Sequence, residues 1–352
     1  MMFLPDTADA ARYCLNNNIR FALYAMPGNE TPIFLADDGS TARDKVTGSD
    51  GFFVNTFGNT LPKPEIIYPK WDCRNVMNQP GNKSTDNALN RLTESSTPRE
   101  KYISDIDRLT AELKRDGGKT VISRVICGSS SGIDWVKVAE RYFTAYPATF
   151  RFLYYTPVTG AWLGATPEII LSRDSDGTTL TTMSLAGTRK CSDMPWDDKN
   201  IAEHNFVTEY IVAILKESGL SPEVHDAENV AYGDIEHLCN RITADYNGDI
   251  MQLLHRLSPT PALAGTPLSA AMRHISTYES HRRNCYGGYV GISDSTGTHA
   301  FVNLRSVNFD KDNFCVYAGG GITALSIATE EWAETEAKVS KLLSIIKSES
   351  YE

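Results

Sequence analysis

Short runs of strand residues broken by turns, several long amphipathic helices, and no regular strand–helix–strand alternation predict an α+β fold, with layered antiparallel-rich sheets flanked by helices. Of the 352 residues 41% are hydrophobic and 22% charged, enough apolar material for a sizeable core. No internal repeat or low-complexity tract interrupts the pattern.

The elements follow in order. Residues 20–25, 32–36 and 51–54 are apolar runs separated by Gly and Asp, and read as strands. From 72 to 96 the chain is polar and rich in Asn, Ser and Thr, which predicts a long surface loop. The division that results is a strand-rich part over residues 1–95, ending in that loop, and a core over 96–352. A helix start follows: Thr97 as cap, Pro98 in the first turn and Glu100 closing a capping box. Tyr102, Ile103, Ile106, Leu109 and Leu113 then recur at helical spacing until Gly117-Gly118. Residues 119–124 read as a strand whose alternation puts Lys119, Val121 and Ser123 on one face. A helix over 133–145 precedes a strand-rich stretch, 152–183, with turns at Thr159-Gly160 and Ser175-Asp176-Gly177. Helices are expected over 197–218, 249–255 and 267–278, strands over 288–293, 299–309 and 313–318, and a last helix over 329–346.

Composition excludes several classes. A net charge of −10 argues against nucleic acid, which needs a basic patch. No apolar run reaches the roughly eighteen residues of a membrane span. The N-terminus, Met1-Met2-Phe3-Leu4-Pro5-Asp6, has no signal-peptide pattern. The seven cysteines are odd in number, scattered and without a C-x-x-C pair, which disfavours a zinc cage or a disulfide framework. A cytoplasmic monomer is the expectation, since no heptad suggests obligate association.

Several segments carry chemistry. They are Gly164-Ala165-Thr166-Pro167-Glu168, Leu185-Ala186-Gly187-Thr188-Arg189, the stretch 258–267 around Pro261-Ala262-Leu263, Tyr286-Gly287-Gly288-Tyr289-Val290-Gly291, Leu304-Arg305-Ser306, Ala318-Gly319-Gly320-Gly321-Ile322, and Glu334-Thr335-Glu336-Ala337-Lys338. In this order and spacing, across about 98–346, they resemble the chorismate-utilising family (anthranilate synthase component I-like). The resemblance implies the anthranilate synthase-like fold, chorismate as substrate and Mg2+ as cofactor. Within the family the residues are closest to the isochorismate synthases.

The residues can be read chemically beside that resemblance. A dicarboxylate such as chorismate needs cations or backbone donors, and Arg305, placed on an apolar strand, can fork onto a carboxylate. Alone, Arg305 reads equally as a strand-edge ion pair, and a glycine run as a tight turn. The resemblance assigns Tyr286, Arg305, Lys338 and the backbone of Gly319, Gly320 and Gly321 to the chorismate pocket, with Ala262 and Leu263 beside them. It also assigns Glu203 and Glu334, both on expected helices, as magnesium ligands. Magnesium takes one or two carboxylates and keeps waters or substrate oxygens for the rest. Alone, Glu334 and Lys338 are an ordinary i,i+4 helix pair. His204 has no second His or Cys at ligand spacing, so a zinc reading fails.

Lys119 selects the reaction. By the resemblance, ammonia-using members carry glutamine here and water-using members lysine. A neutral lysine can accept a proton from water; alone, Lys119 reads as an edge-strand guard. The resemblance makes Glu168, opening the apolar run 169–171, the complementary acid, since burial there would hold a carboxyl proton; alone, it reads as a solvated carboxylate at a strand end. The implied reaction adds water at C2 of chorismate and expels the 4-hydroxyl, making isochorismate for menaquinone or an aryl-capped siderophore. The nearest alternative is salicylate synthase, whose lyase-competent members tend to have threonine where Ala262 stands. Anthranilate or aminodeoxychorismate synthase is disfavoured by Lys119, and a non-catalytic binding protein by the joint presence of base, acid and metal ligands.

Overall fold

The computed structural model describes residues 3–40, 51–81, 91–175, 177–192, 194–232 and 235–349. Asp176 and residues 82–90 of the expected polar loop lie outside them. Helix α1 (Pro5–Asn17) leads into strands β1 (Arg20–Ala25), β2 (Ile33–Asp37), β3 (Gly51–Asn55) and β4 (Glu65–Ile67). Helix α2 (Arg99–Asp116), strand β5 (Lys119–Ser129) and helix α3 (Trp135–Ala145) follow. Next come β6 (Phe150–Thr156), β7 (Gly160–Thr166), β8 (Ile169–Asp174), β9 (Thr179–Lys190) and helix α4 (Asp198–Glu217). The chain continues through β10 (Glu223–Val224), β11 (Glu228–Tyr232), β12 (Ile235–Asp245), α5 (Ile250–Leu257), β13 (Gly265–Thr266) and α6 (Leu268–Tyr278). It closes with β14 (Tyr289–Asp294), β15 (Gly297–Val302), β16 (Ser306–Phe309), β17 (Asn313–Ile322) and α7 (Ala328–Glu349).

Two antiparallel sheets form. The first has the order β13-β5-β17-β16-β7-β6-β1-β2; the second runs β10-β12-β9-β8-β15-β14-β3-β4, with β11 on β12. Strand alternation decides what each face meets. Tyr24, Phe52, Phe150, Phe152, Tyr154, Trp162 and Phe301 share one core, with Phe150 stacked on Phe301 at 4.3 Å between centroids and Phe52 5.3 Å from Tyr154. Phe21, Leu23, Leu153, Leu163 and Val316 join a second core with Val138 and Phe143 of α3 and Leu342 and Ile346 of α7. The first sheet is therefore buried on both faces, between the second sheet and a helical layer. The N-terminal strands take part in both sheets, β1 and β2 in the first, β3 and β4 in the second.

Several expectations need correction. Helix α1 lies in a region read only as strands, because its buried face, Thr7, Ala10, Ala11 and Cys14, is made of small residues that give little apolar contrast. Thr97 does not cap α2: Pro98 is the cap residue and no side chain bonds the helix end. Thr97 is committed to β5 instead. Its N–H donates to Val125 O at 2.9 Å, and its Oγ1 accepts from Val125 N at 3.2 Å. Strands β10 to β12 fill a stretch whose sequence carries no clear strand pattern. Cys127 and Cys315, 188 residues apart, are cross-strand partners of β5 and β17 and are joined by a disulfide. Strand register brings this pair together, which spacing along the chain does not reveal. Arg305 is not on a strand. The expected 299–309 run breaks into β15 and β16, which belong to different sheets, and Arg305 sits at the crossing in the left-handed region, φ 47°.

Candidate active site

Where the chain steps between sheets it exposes side chains to the space between them. The β7–β8 step, from the first sheet to the second, occurs at Pro167-Glu168; the β15–β16 step, in the opposite direction, occurs at 303–305. Glu168 and Arg305 therefore meet at one cavity, lined also by Val121, Ala186, Gly187, Thr188, Glu203, His237, Ala262, Leu263, Tyr286, Leu304, Gly319, Gly321 and Lys338. Of the residues expected from sequence, Glu168, Glu203, Ala262, Leu263, Tyr286, Arg305, Gly319, Gly321 and Lys338 are on the lining.

The remaining three stand behind it. Lys119, 1% exposed, reaches the wall through Glu203, with Nζ 3.0 Å from Oε1. That approach has the distance of an ion pair without hydrogen-bond alignment, and Nζ has no hydrogen-bond acceptor among the described residues. Glu334 is bonded to Lys338, Nζ to Oε1 2.6 Å, and Lys338 also donates to Gly319 O at 3.0 Å. Gly320 is a correction. The glycine run is a regular part of β17 paired to Val121–Ser123, so alternation turns Gly320 to the opposite face, where a Cβ would lie 3.0 Å from Glu331 Oε2. The glycines on the cavity side make room for functional groups. A Cβ at Gly321 would collide with Glu203 Oε1 and lie 2.8 Å from Lys119 Cε; one at Gly319 would lie 3.0 Å from the Tyr286 hydroxyl.

Burial sets the electrostatics. Glu168, 4% exposed, has its pKa pushed up from 4.5 to about 8 by desolvation, against the pull of Lys119 and Lys338. At neutral pH it keeps its proton and is a donor. Around Glu203 and Glu334 the structure adds two groups with no sequence signal, Lys199 and Glu331, paired at 2.7 Å. They sit one turn before Glu203 on α4 and Glu334 on α7, so the pair ties the two helices together. Burial and the charge of Glu334 raise Glu331 to about 7 despite Lys199. For Glu334 burial is outweighed by Lys338 and Lys199, which hold it below the ordinary carboxyl value.

Sequence reasoning misses His237 as well, because residues 219–248 show no clear strand pattern. Burial, then the charges of Arg305 and Lys338, lower it to about 3, so its imidazole is neutral. Arg305 Nη2 lies 3.1 Å from His237 Nε2, and a guanidinium only donates, so Nε2 accepts. The proton is then on Nδ1, facing Gly187 O at 3.0 Å and Thr188 Oγ1 at 3.1 Å. His204 bonds Asn240 Oδ1 through Nε2 and packs α4 onto β12, away from any ligand role.

Among the described residues no group of three or more His, Cys, Asp or Glu side chains is gathered for a metal. Glu203 and Glu334 supply two hard oxygen donors, and Glu331 Oε2 is buried with no hydrogen-bond partner found for it among the described residues. Such an all-carboxylate set fits a magnesium ion completed by water and substrate oxygens and does not fit zinc.

The family model for chorismate-binding enzymes matches residues 52–347. Isochorismate synthase EntC of Escherichia coli K12 is 30% identical over 264 residues, 70% of this chain and 66% of that protein. For other curated relatives, including MenF of Haemophilus influenzae at 29% identity, the matched stretch is about half their length, 49%. Two solved structures share the fold: the menaquinone-specific isochorismate synthase MenF of Escherichia coli, TM-score 0.77 with 19% identity over 98% of this chain and 91% of that one, and anthranilate synthase component I of Streptococcus pneumoniae, TM-score 0.64 with 18% identity over 92% of each chain.

Proposed function

The chain belongs to the chorismate-binding enzymes, and from that premise we propose that it is an isochorismate synthase, using Mg2+ to convert chorismate to isochorismate. The observation that carries the reading is a pairing of opposites at the cavity: Lys119 of β5, buried against Glu203 of α4, and Glu168 holding a proton at the β7–β8 step. A base and an acid kept apart in this way suit one site running two proton transfers. Lys119 takes a proton from water as its oxygen bonds to C2; the ring double bonds shift, and Glu168 protonates the departing 4-hydroxyl. Water enters and water leaves, so the net change is an isomerisation. Arg305 and Lys338 answer the two carboxylates, with His237 orienting the Arg305 guanidinium. Magnesium, when bound, offsets charge on the ring carboxylate. Glu203 and Glu334 would hold that cation. A monomer in the cytoplasm completes the reading.

Metal dependence is the first test. Activity is expected to vanish with a strong chelator and return with magnesium, and Glu203→Gln and Glu334→Gln are each expected to raise the magnesium needed for half-activation at least about tenfold, because an amide is a poor ligand for a hard cation. Full turnover in a chelated sample excludes the metal.

A second test asks where the reaction stops. Expulsion of pyruvate needs the enolpyruvyl group folded over the ring, and Ala262 and Leu263 offer it no side-chain hydrogen bond. Isochorismate is therefore expected to accumulate to an equilibrium with chorismate, followed by chromatography, with little pyruvate in a coupled dehydrogenase assay. Stoichiometric pyruvate and salicylate from the enzyme would make it a salicylate synthase.

A further inference from the structure

Outside the lining, and among the described residues, the most heavily bonded buried ion pair is Glu279 with Arg283, at the turn after α6. Both side chains are almost fully buried, 2% and 3% exposed. The Arg283 guanidinium forks onto the carboxylate, Nε to Oε2 at 2.9 Å and Nη2 to Oε1 at 2.5 Å. Its remaining protons reach two backbone carbonyls, Nη1 to Leu263 O at 2.6 Å and Nη2 to Val121 O at 2.7 Å. Its Cζ lies 4.3 Å from the centroid of the Phe57 ring. Glu279 Oε1 in turn accepts from Ser123 N at 2.6 Å and Ser123 Oγ at 2.9 Å.

The pair stands where a strand is missing. Strand β5 has β17 on one side, but its other partner, β13, covers only Lys119 and Thr120. Beyond them the open edge would leave buried backbone groups unbonded. Val121 N–H is taken by Ala264 O, Val121 O by Arg283, Ser123 N–H by Glu279, and Val125 by Thr97. One rigid guanidinium therefore bonds the strand that carries Lys119 and the segment that carries Ala262 and Leu263, fixing the distance between two walls of the cavity. A further strand could have closed that edge without desolvating two charges; the planar guanidinium bonds it in one fixed geometry instead.

We infer that Arg283, held by Glu279, is a positioning residue that sets the separation of Lys119 from the Ala262–Leu263 wall and so controls both the rate of turnover and where the reaction stops. Arg283 itself is not on the cavity lining. The kinetic part rests on the proposed isochorismate synthase activity; the structural part does not.

The test compares full-length wild type, Arg283→Lys, Arg283→Met and Glu279→Gln with saturating magnesium. Lysine keeps the charge but cannot reach both carbonyls and the carboxylate in one plane. The expected result is a fall in kcat/KM for chorismate of about a hundredfold in Arg283→Lys, the scale of a misplacement of about 1 Å. Glu279→Gln is expected to lose less, because its amide oxygen still accepts from Arg283. The magnesium concentration for half-activation should stay at the wild-type value, and the ratio of pyruvate to isochorismate should rise. A merely structural role would shift the melting temperature without moving that ratio. Folded Arg283→Lys with kcat/KM within about threefold of wild type and an unchanged product ratio overturns the inference. Arg283→Met that fails to fold leaves the two conservative variants to decide. If wild type makes no isochorismate, the functional reading fails instead, and calorimetric titration of chorismate into wild type and Arg283→Lys still decides the positioning role, equal affinities counting against it.

Discussion

Lys119→Gln is expected to lower kcat for isochorismate formation by at least about a thousandfold, because an amide cannot take a proton from the attacking water and a positioned base is worth about 10² to 10⁴. The side chain is buried against Glu203, and its Nζ has no hydrogen-bond acceptor among the described residues. Gln is one atom shorter than Lys and fits the space it leaves beside Glu203, so the fold should survive and a thermal melt should confirm it. Chorismate affinity, read by calorimetry, should stay within a few-fold, since Arg305 and Lys338 are unchanged. Chromatography of the reaction mixture measures the loss directly. A folded variant that keeps most of its turnover would show that another group activates the water.

What could be read from the chain follows from what side-chain patterns report. Alternation and turn residues mark β1, β3, β5 and the β14–β15 hairpin, because each has a strongly apolar face. Helix α1 escapes because Ala10, Ala11 and Cys14 bury a face with little contrast, although Pro5 at its first position and Asp6 in the first turn are a readable start. The site residues are legible as motifs, but their relations are not. That Arg305 occupies a sheet-to-sheet crossing, that Gly320 faces Glu331 and not the cavity, and that Cys127 meets Cys315 are consequences of register and topology, which depend on contacts up to 188 residues apart. His237 and Lys199 are missed for a related reason. Each bonds a partner far away in the sequence, and only the packing of β12 and α4 against the rest supplies Arg305 and Glu331.

Glu168→Gln is expected to match Lys119→Gln in lost activity while gaining stability. The carboxyl must be protonated to deliver its proton to the leaving hydroxyl, and its pKa is about 8. Wild-type kcat should therefore fall as pH rises through about 8 along a one-proton limb, and the residual rate of the Gln variant should lack that limb. The stability effect has the opposite consequence for the variant. The folded pKa lies above the ordinary value of 4.5, so between about 4.5 and about 8 the unfolded chain has released a proton that the folded chain still holds. Folding stability then declines across that window as pH rises. Glutamine does not titrate and fills the same volume, so the variant should melt at about the wild-type temperature near pH 4.5 and increasingly above it toward pH 8. Thermal melts at both ends of the window, with pH–rate profiles on the same samples, check both halves. A variant that melts below wild type at about pH 8, or a wild-type rate flat through about pH 9, would show that Glu168 does not hold a proton in the folded enzyme. Under the proposed reaction, a group at the crossing between the two sheets whose ionisation costs the fold stability is accounted for by its chemistry.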